Sequence, residues 1–147
     1  MSTATKEKEM VTLTLPVQIP VERLRYMVEA SIATDGSYYW IAHVQKNIRS
    51  NMVISDFQPG GKEFAKADAP YDPCHLIPFV SGCSLSISTQ DKPDNFHVLN
   101  MTIMKKGTAI LAEKYPQKFA AMMNGQWDVW DADAWLQCCL FGELKYG

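Results

Sequence analysis

Apolar and polar side chains alternate near the start of the chain, where Val11, Leu13, Leu15, Val17 and Ile19 are separated by Thr12, Thr14, Pro16 and Gln18. A period of two is that of a strand with one buried face, and Pro16, which has no N–H to give to a ladder, puts that strand at a sheet edge. The period changes after Pro20, a residue suited to a first helical turn because the missing N–H would be unpaired there anyway. Val21, Leu24, Val28 and Ile32 follow at helical spacing, predicting an amphipathic helix to residue 33. Thr34-Asp-Gly-Ser37 breaks it. The run Tyr38-Tyr-Trp-Ile-Ala-His-Val44, dense in aromatic and β-branched residues, predicts a second strand.

Between Lys46 and Pro78, the breakers Pro59-Gly-Gly61, Ala69-Pro70 and Asp72-Pro73 leave room only for a short strand near 52–57, in what otherwise reads as a long loop of the kind that often carries function. Alternation returns at 79–89, with Cys83, Leu85 and Ile87 on one face and Ser84, Ser86 and Ser88 on the other. A turn at Asp91-Lys-Pro-Asp-Asn95 lets a short strand at 96–99 pair back. Asn100 suits the cap of a helix over 101–115, with Ile103, Met104, Ile110 and Leu111 on its apolar side and Gly107 where a neighbour can approach closely. Pro116 starts a shorter helix that ends at Asn124-Gly125.

The last helix is the most legible. Asp131 is the expected N-cap, Asp133 favours the positive end of the helix dipole, and Ala132, Trp135, Leu136, Cys139 and Leu140 fall on one face. Gly142 ends it, so the helix reads as a terminal element docked onto the core. The order of elements, without a repeated βα unit, predicts an α+β fold: an antiparallel β-sheet with helices packed on one face and a C-terminal helical cluster. A single domain over 1–147 is expected, with a disordered start over 1–9.

Composition narrows the classes. A chain of 147 residues, 47% hydrophobic, buries a core without disulfides or a metal, and a net charge of −2 gives no overall attraction to nucleic acid or anionic membrane. The polar start is no signal peptide and no apolar run approaches the roughly 20 residues of a membrane helix, so a cytoplasmic placing is expected. Four cysteines fit buried thiols there; Cys138 and Cys139 point about 100° apart on a helix and are poorly placed to bridge each other.

Candidate chemistry is sparse. Asp128, Asp131 and Asp133 could hold a hard metal ion or act as an acid and base pair, but the spacing lacks the glycine and distal glutamate of a calcium loop, and capping explains it. Cys74, His75 and Cys83 fall short of a zinc set, and a thiol nucleophile would need His43, His75 or His97 beside it in space. Gly60-Gly61-Lys62 is too short for a phosphate loop. No catalytic residue, metal or cofactor is expected. The segment Asp35-Gly-Ser-Tyr-Tyr-Trp40 is richer, since a glycine turn delivers small polar groups and then three aromatics. Exposed rings there would stack a nucleobase at roughly 1–3 kcal/mol each; packed under the helices they would be core. Trp127 and Trp130 pose the same choice, as core lids or as a contact surface.

Two blocks, Asp35-Gly-Ser-Tyr-Tyr-Trp40 and the tail from Ala112-Glu-Lys-Tyr-Pro-Gln-Lys-Phe119 through Asp131-Ala-Asp-Ala-Trp-Leu-Gln-Cys-Cys-Leu-Phe-Gly-Glu-Leu-Lys-Tyr-Gly147, resemble a family of small tailed-phage proteins of uncharacterised function. The resemblance covers about half the chain and carries over no catalytic residue. It implies a phage accessory protein working in the host cytoplasm against host defence, for instance by sequestering a nucleotide-derived immune signal as a homo-oligomer. Asp35, Ser37, Tyr38, Tyr39 and Trp40 would then meet base and ribose, with Arg49, Lys105 or Lys106 on phosphates. The rival is an inhibitor that covers a host defence enzyme with Trp127, Asp128, Trp130 and Asp131; a hydrolase built on the acid cluster is a third reading.

Overall fold

The computed structural model describes residues 8–13, 16–33, 36–57 and 73–147. The expected disorder over 1–7, the loop over 58–72 and Asp35 lie outside the described residues. The fold is α+β: three antiparallel strands, β1 (Ile41–Asn47), β2 (Ser84–Thr89) and β3 (Lys92–Leu99), in the order β1-β2-β3. Four α-helices accompany them among the described residues: α1 (Val21–Val28), α2 (Met101–Lys114), α3 (Pro116–Asn124) and α4 (Val129–Phe141).

The serine alternation of β2 sorts its side chains by a period of two from Ser84 to Ile87, after which Ser88 and Thr89 are also buried. Leu85 stands opposite Leu99 and Ile87 opposite His97, and Leu85, Ile87 and Leu99 are fully buried on the side where α2 and α4 touch β3. On the other side Asn47 donates from Nδ2 to the hydroxyls of Ser84 (3.1 Å) and Ser86 (2.8 Å), tying β1 to β2. His97 faces the helices, its ring edge-on to Phe141 of α4 at 5.1 Å between centroids.

Asn100 caps α2 by accepting from the Ile103 N–H at 2.9 Å, and Gly125 and Gly142 end α3 and α4 in left-handed conformation. Arg23 of α1 donates to the Met122 carbonyl at 3.0 Å, so a cation also holds the open C-terminal end of α3. Helices α2 and α4 share the largest helix contact: Trp135 donates from Nε1 to the Thr108 hydroxyl (2.9 Å), which in turn donates to the Met104 carbonyl (2.7 Å).

Several elements differ from expectation. The arm before α1 forms no strand among its described residues, and Leu13 and Val17 are exposed. Alternation marks a strand's face, but a strand also needs a partner edge, and the arm has none within the described fold. The second strand starts at Ile41 and not Tyr38, because residues 36–40 form a turn that aims side chains at α4. Ile54–Phe57 is a 3₁₀ turn, not a strand; Ile77–Phe79 is another, which delays β2 to Ser84. β3 begins at Lys92, inside the stretch expected to turn.

The last helix differs most. It starts at Val129, with Asp128 as its cap: the Asp131 N–H donates to Asp128 Oδ1 (2.9 Å) and the Asp128 N–H to Asp131 Oδ2 (3.1 Å), a reciprocal capping box. Residues 132–139 are buried on every side, Asp133 and Gln137 included, so α4 is the central helix and not a docked terminal one. It touches α1, α2, α3 and β3, which leaves little of its circumference for water.

Candidate functional site

What allows a helix containing Asp133 and Gln137 to be buried all round is the turn before β1. Past α1 the helix widens into a π turn over Glu29–Ala33, where the Ser31 hydroxyl donates back to the Met27 carbonyl at 2.7 Å. The N–H groups of Gly36 and Ser37 then bond to the carbonyls of Ala30 and Ser31, closing that wide end and presenting residues 37–40 to α4. A Cβ on Gly36 would lie 2.6 Å from the Ala30 oxygen, so the close approach requires glycine here.

Asp133 is the acceptor for this segment. Ser37 Oγ (2.6 Å) and Trp40 Nε1 (2.7 Å) donate to its Oδ1, while Tyr39 Oη (2.5 Å) and Gln137 Nε2 (3.0 Å) donate to its Oδ2. Two donors on each oxygen are what a carboxylate needs to be held away from water. Burial, and then the bond to Asp133, push the Tyr39 phenol up to about 12. Gln137 completes the arrangement by accepting from the N–H groups of Lys145 and Tyr146, both at 2.8 Å, which folds the tail back over the turn. Tyr146 stacks on Trp40 with centroids 5.4 Å apart and planes within 5°, and its hydroxyl donates to Asp91 at 2.8 Å.

Outside this network opens a cleft of about 470 Å³, lined by Tyr39, Trp130 and Tyr146 as rings, by Lys118, Asp133 and Gln137 as polar groups, and by Ala134 and Leu144. The volume lies in the range of small-ligand sites. Trp130 is 61% exposed and its ring centroid is 6.4 Å from that of Tyr39, tilted by 54°. Lys118 supplies a cation beside them, 3.2 Å from Asp131 Oδ1. With both Asp133 oxygens occupied and Tyr39 keeping its proton to high pH, these groups suit holding a flat polar molecule better than reacting with one.

The residues expected to bind a ligand are divided by the structure. Ser37 and Trp40 are buried and engaged with Asp133; Tyr39 reaches the cleft; Tyr38 is 68% exposed and meets Tyr39 edge-on at 6.4 Å. Arg49 lies across Gly82 and donates to the Met52 sulfur at 3.2 Å, and Lys105 lines a different groove, so neither lines this cleft. Of the expected partner surface, Trp127 packs against the core, Asp128 and Asp131 make the capping box, and Trp130 faces solvent. The acid cluster is therefore not a converging site: Asp133 turns inward to the tyrosine and tryptophan while the other two serve the helix end. Among the described residues no three His, Cys, Asp or Glu side chains come together in a way that could hold a metal ion. Nor is any helix there long and apolar enough to cross a membrane.

Lys118, Gln137 and Tyr146 were not anticipated. A signal for Gln137 did exist: Asp133 and Gln137 are one helical turn apart inside an apolar helix, a polar pair that burial obliges to find partners. In comparison with known proteins, no family, no curated protein and no solved structure matches this chain.

Proposed function

We propose that this chain is a phage accessory protein that sequesters a small nucleotide-derived host immune signal in the cleft between Tyr39 and Trp130. The observation that carries the reading is the exposed Trp130 ring beside Tyr39 at the mouth of a cleft that also holds Lys118. A nucleobase finds a stacking face on Trp130, a donor on its polar edge finds the Tyr39 hydroxyl oxygen, and a phosphate finds Lys118 once that ammonium leaves Asp131. The buried Asp133 network keeps the Tyr39 ring in place before a ligand arrives, which lowers the ordering cost of binding.

Native mass spectrometry of the protein with cyclic dinucleotides and ADP-ribose derivatives tests this. A retained mass increment is expected, and Trp130→Ala should weaken it by about tenfold to a hundredfold, the worth of one stacked base. No increment with any of these ligands, or full binding by Trp130→Ala, would overturn the proposal.

One observation favours a second reading. Val129 and Trp130 are adjacent and both exposed on the first turn of α4, the kind of aromatic anchor that protein interfaces bury. Inhibition of a host defence enzyme through this turn would show as capture of that enzyme from host lysate by the wild type and its loss with Trp130→Ala.

A further inference from the structure

A second cavity, of about 860 Å³, shares no lining residue with the first. The arm forms one wall with Leu13, Val17 and Ile19, and α2 forms the other. Its surface is mostly apolar, and the arm residues that border it are left in solvent: Leu13 is 70% and Val17 56% exposed. Contiguous apolar surface of this kind on a globular protein marks a face that is covered in use.

The α2 wall shows what covers it. Lys105, Ala109 and Glu113 follow one another at intervals of four along its exposed side, all three at the surface. Neither Lys105 nor Glu113 has an ion-pair partner among the described residues. The stripe is antisymmetric about Ala109, with a cation one turn before it and an anion one turn after. A two-fold axis through Ala109 would set two α2 helices antiparallel and bring each Lys105 opposite Glu113 of the partner subunit, a self-complementary surface as an isologous dimer requires. Ala109 and Ala112 are small enough for the helices to come within the close end of the usual interaxial range. The same axis brings the apolar arms alongside, where their period of two would have the strand partner it lacks among the described residues.

We infer that this groove is the interface of a homodimer, built on antiparallel α2 helices and flanked by the two arms. Sedimentation equilibrium on the full chain should give a dimer, twice the 16.6 kDa of one chain, at micromolar concentration. Lys105→Glu and Glu113→Lys each set like charges opposite one another and should raise the dimer dissociation constant at least tenfold. The double variant Lys105→Glu/Glu113→Lys restores both pairs and should dimerise as the wild type does. Ala109→Arg, on the axis, should give a monomer that melts as cooperatively as the wild type. A wild type that stays monomeric to about 100 µM, a dimer indifferent to all three single changes, or a double variant as weak as the singles would overturn the inference. A monomer that binds detergent or lipid along this groove would overturn it in favour of an apolar ligand.

Discussion

Gly107 of α2 lies against the backbone of Cys139 in α4 so closely that a Cβ built on it would stand 2.4 Å from the Cys139 Cα and equally near its sulfur. The obstacle is backbone as well as side chain, so a rotamer change cannot relieve it. Gly107→Ala has to force the two central helices apart, disturbing the Trp135 to Thr108 bond one turn away. Although alanine is the better helix former, the variant is expected to lose about 1–3 kcal/mol or more, read from the urea midpoint at unchanged slope.

Asp133 is the other point where a small change should be felt widely. In Asp133→Asn one oxygen becomes an NH₂ group facing either Ser37 and Trp40 or Tyr39 and Gln137; the hydroxyl of each pair can turn to accept from it, but the Trp40 Nε1–H or the Gln137 Nε2–H cannot. At least about 2 kcal/mol of stability should be lost. Near-ultraviolet circular dichroism should report it directly, since Trp40, Tyr39 and Tyr146 are ordered around this carboxylate.

Alkaline stability follows from Tyr39. Its phenol keeps its proton to about 12 in the folded chain against an ordinary value of 10.0. Folding therefore gains from the protonated form. That contribution is complete below about pH 10 and is lost as pH rises through about 12. Absorbance titration at about 295 nm should show a tyrosine ionising near pH 12 that is absent in Tyr39→Phe, and the variant's stability should fall less steeply over that interval.

All four cysteines are free and buried. Burial pushes the Cys138 thiol up to about 11 and holds Cys139 well above its ordinary value, so neither supplies thiolate at neutral pH. A chromogenic disulfide reagent should titrate these thiols slowly in the native protein and all four rapidly in guanidinium. Fast native labelling of Cys138 or Cys139 would show that α4 opens more readily than its burial implies.

The turn segment over 36–40 and the C-terminal tail are the two halves of one network. Ser37, Tyr39 and Trp40 of the first donate to Asp133 of the second, and Tyr146 of the second stacks on Trp40 of the first. Loss of either half would leave the buried Asp133 carboxylate or its donors without partners, whatever the cleft binds.

Sequence by itself determined the local elements: the serine-backed strand β2, the Asn100 cap, the break at Pro116, the glycine end of α4, and the close approach at Gly107. Each rests on a property of a residue and its immediate neighbours, whether side-chain period, a missing N–H or a missing Cβ. Tertiary structure decided which partner each residue met. Asp133 read as a helix-dipole partner because three of its four donors, Ser37, Tyr39 and Trp40, lie more than ninety residues away, and Trp40 read as a stacking platform because nothing local says that Tyr146 folds back over it. The arm keeps its strand pattern but forms no strand among its described residues, since pairing needs a second edge. Trp130 and Tyr39 came to share a cleft only because Asp133 pulls the turn onto α4, a long-range bond that no spacing along the chain records.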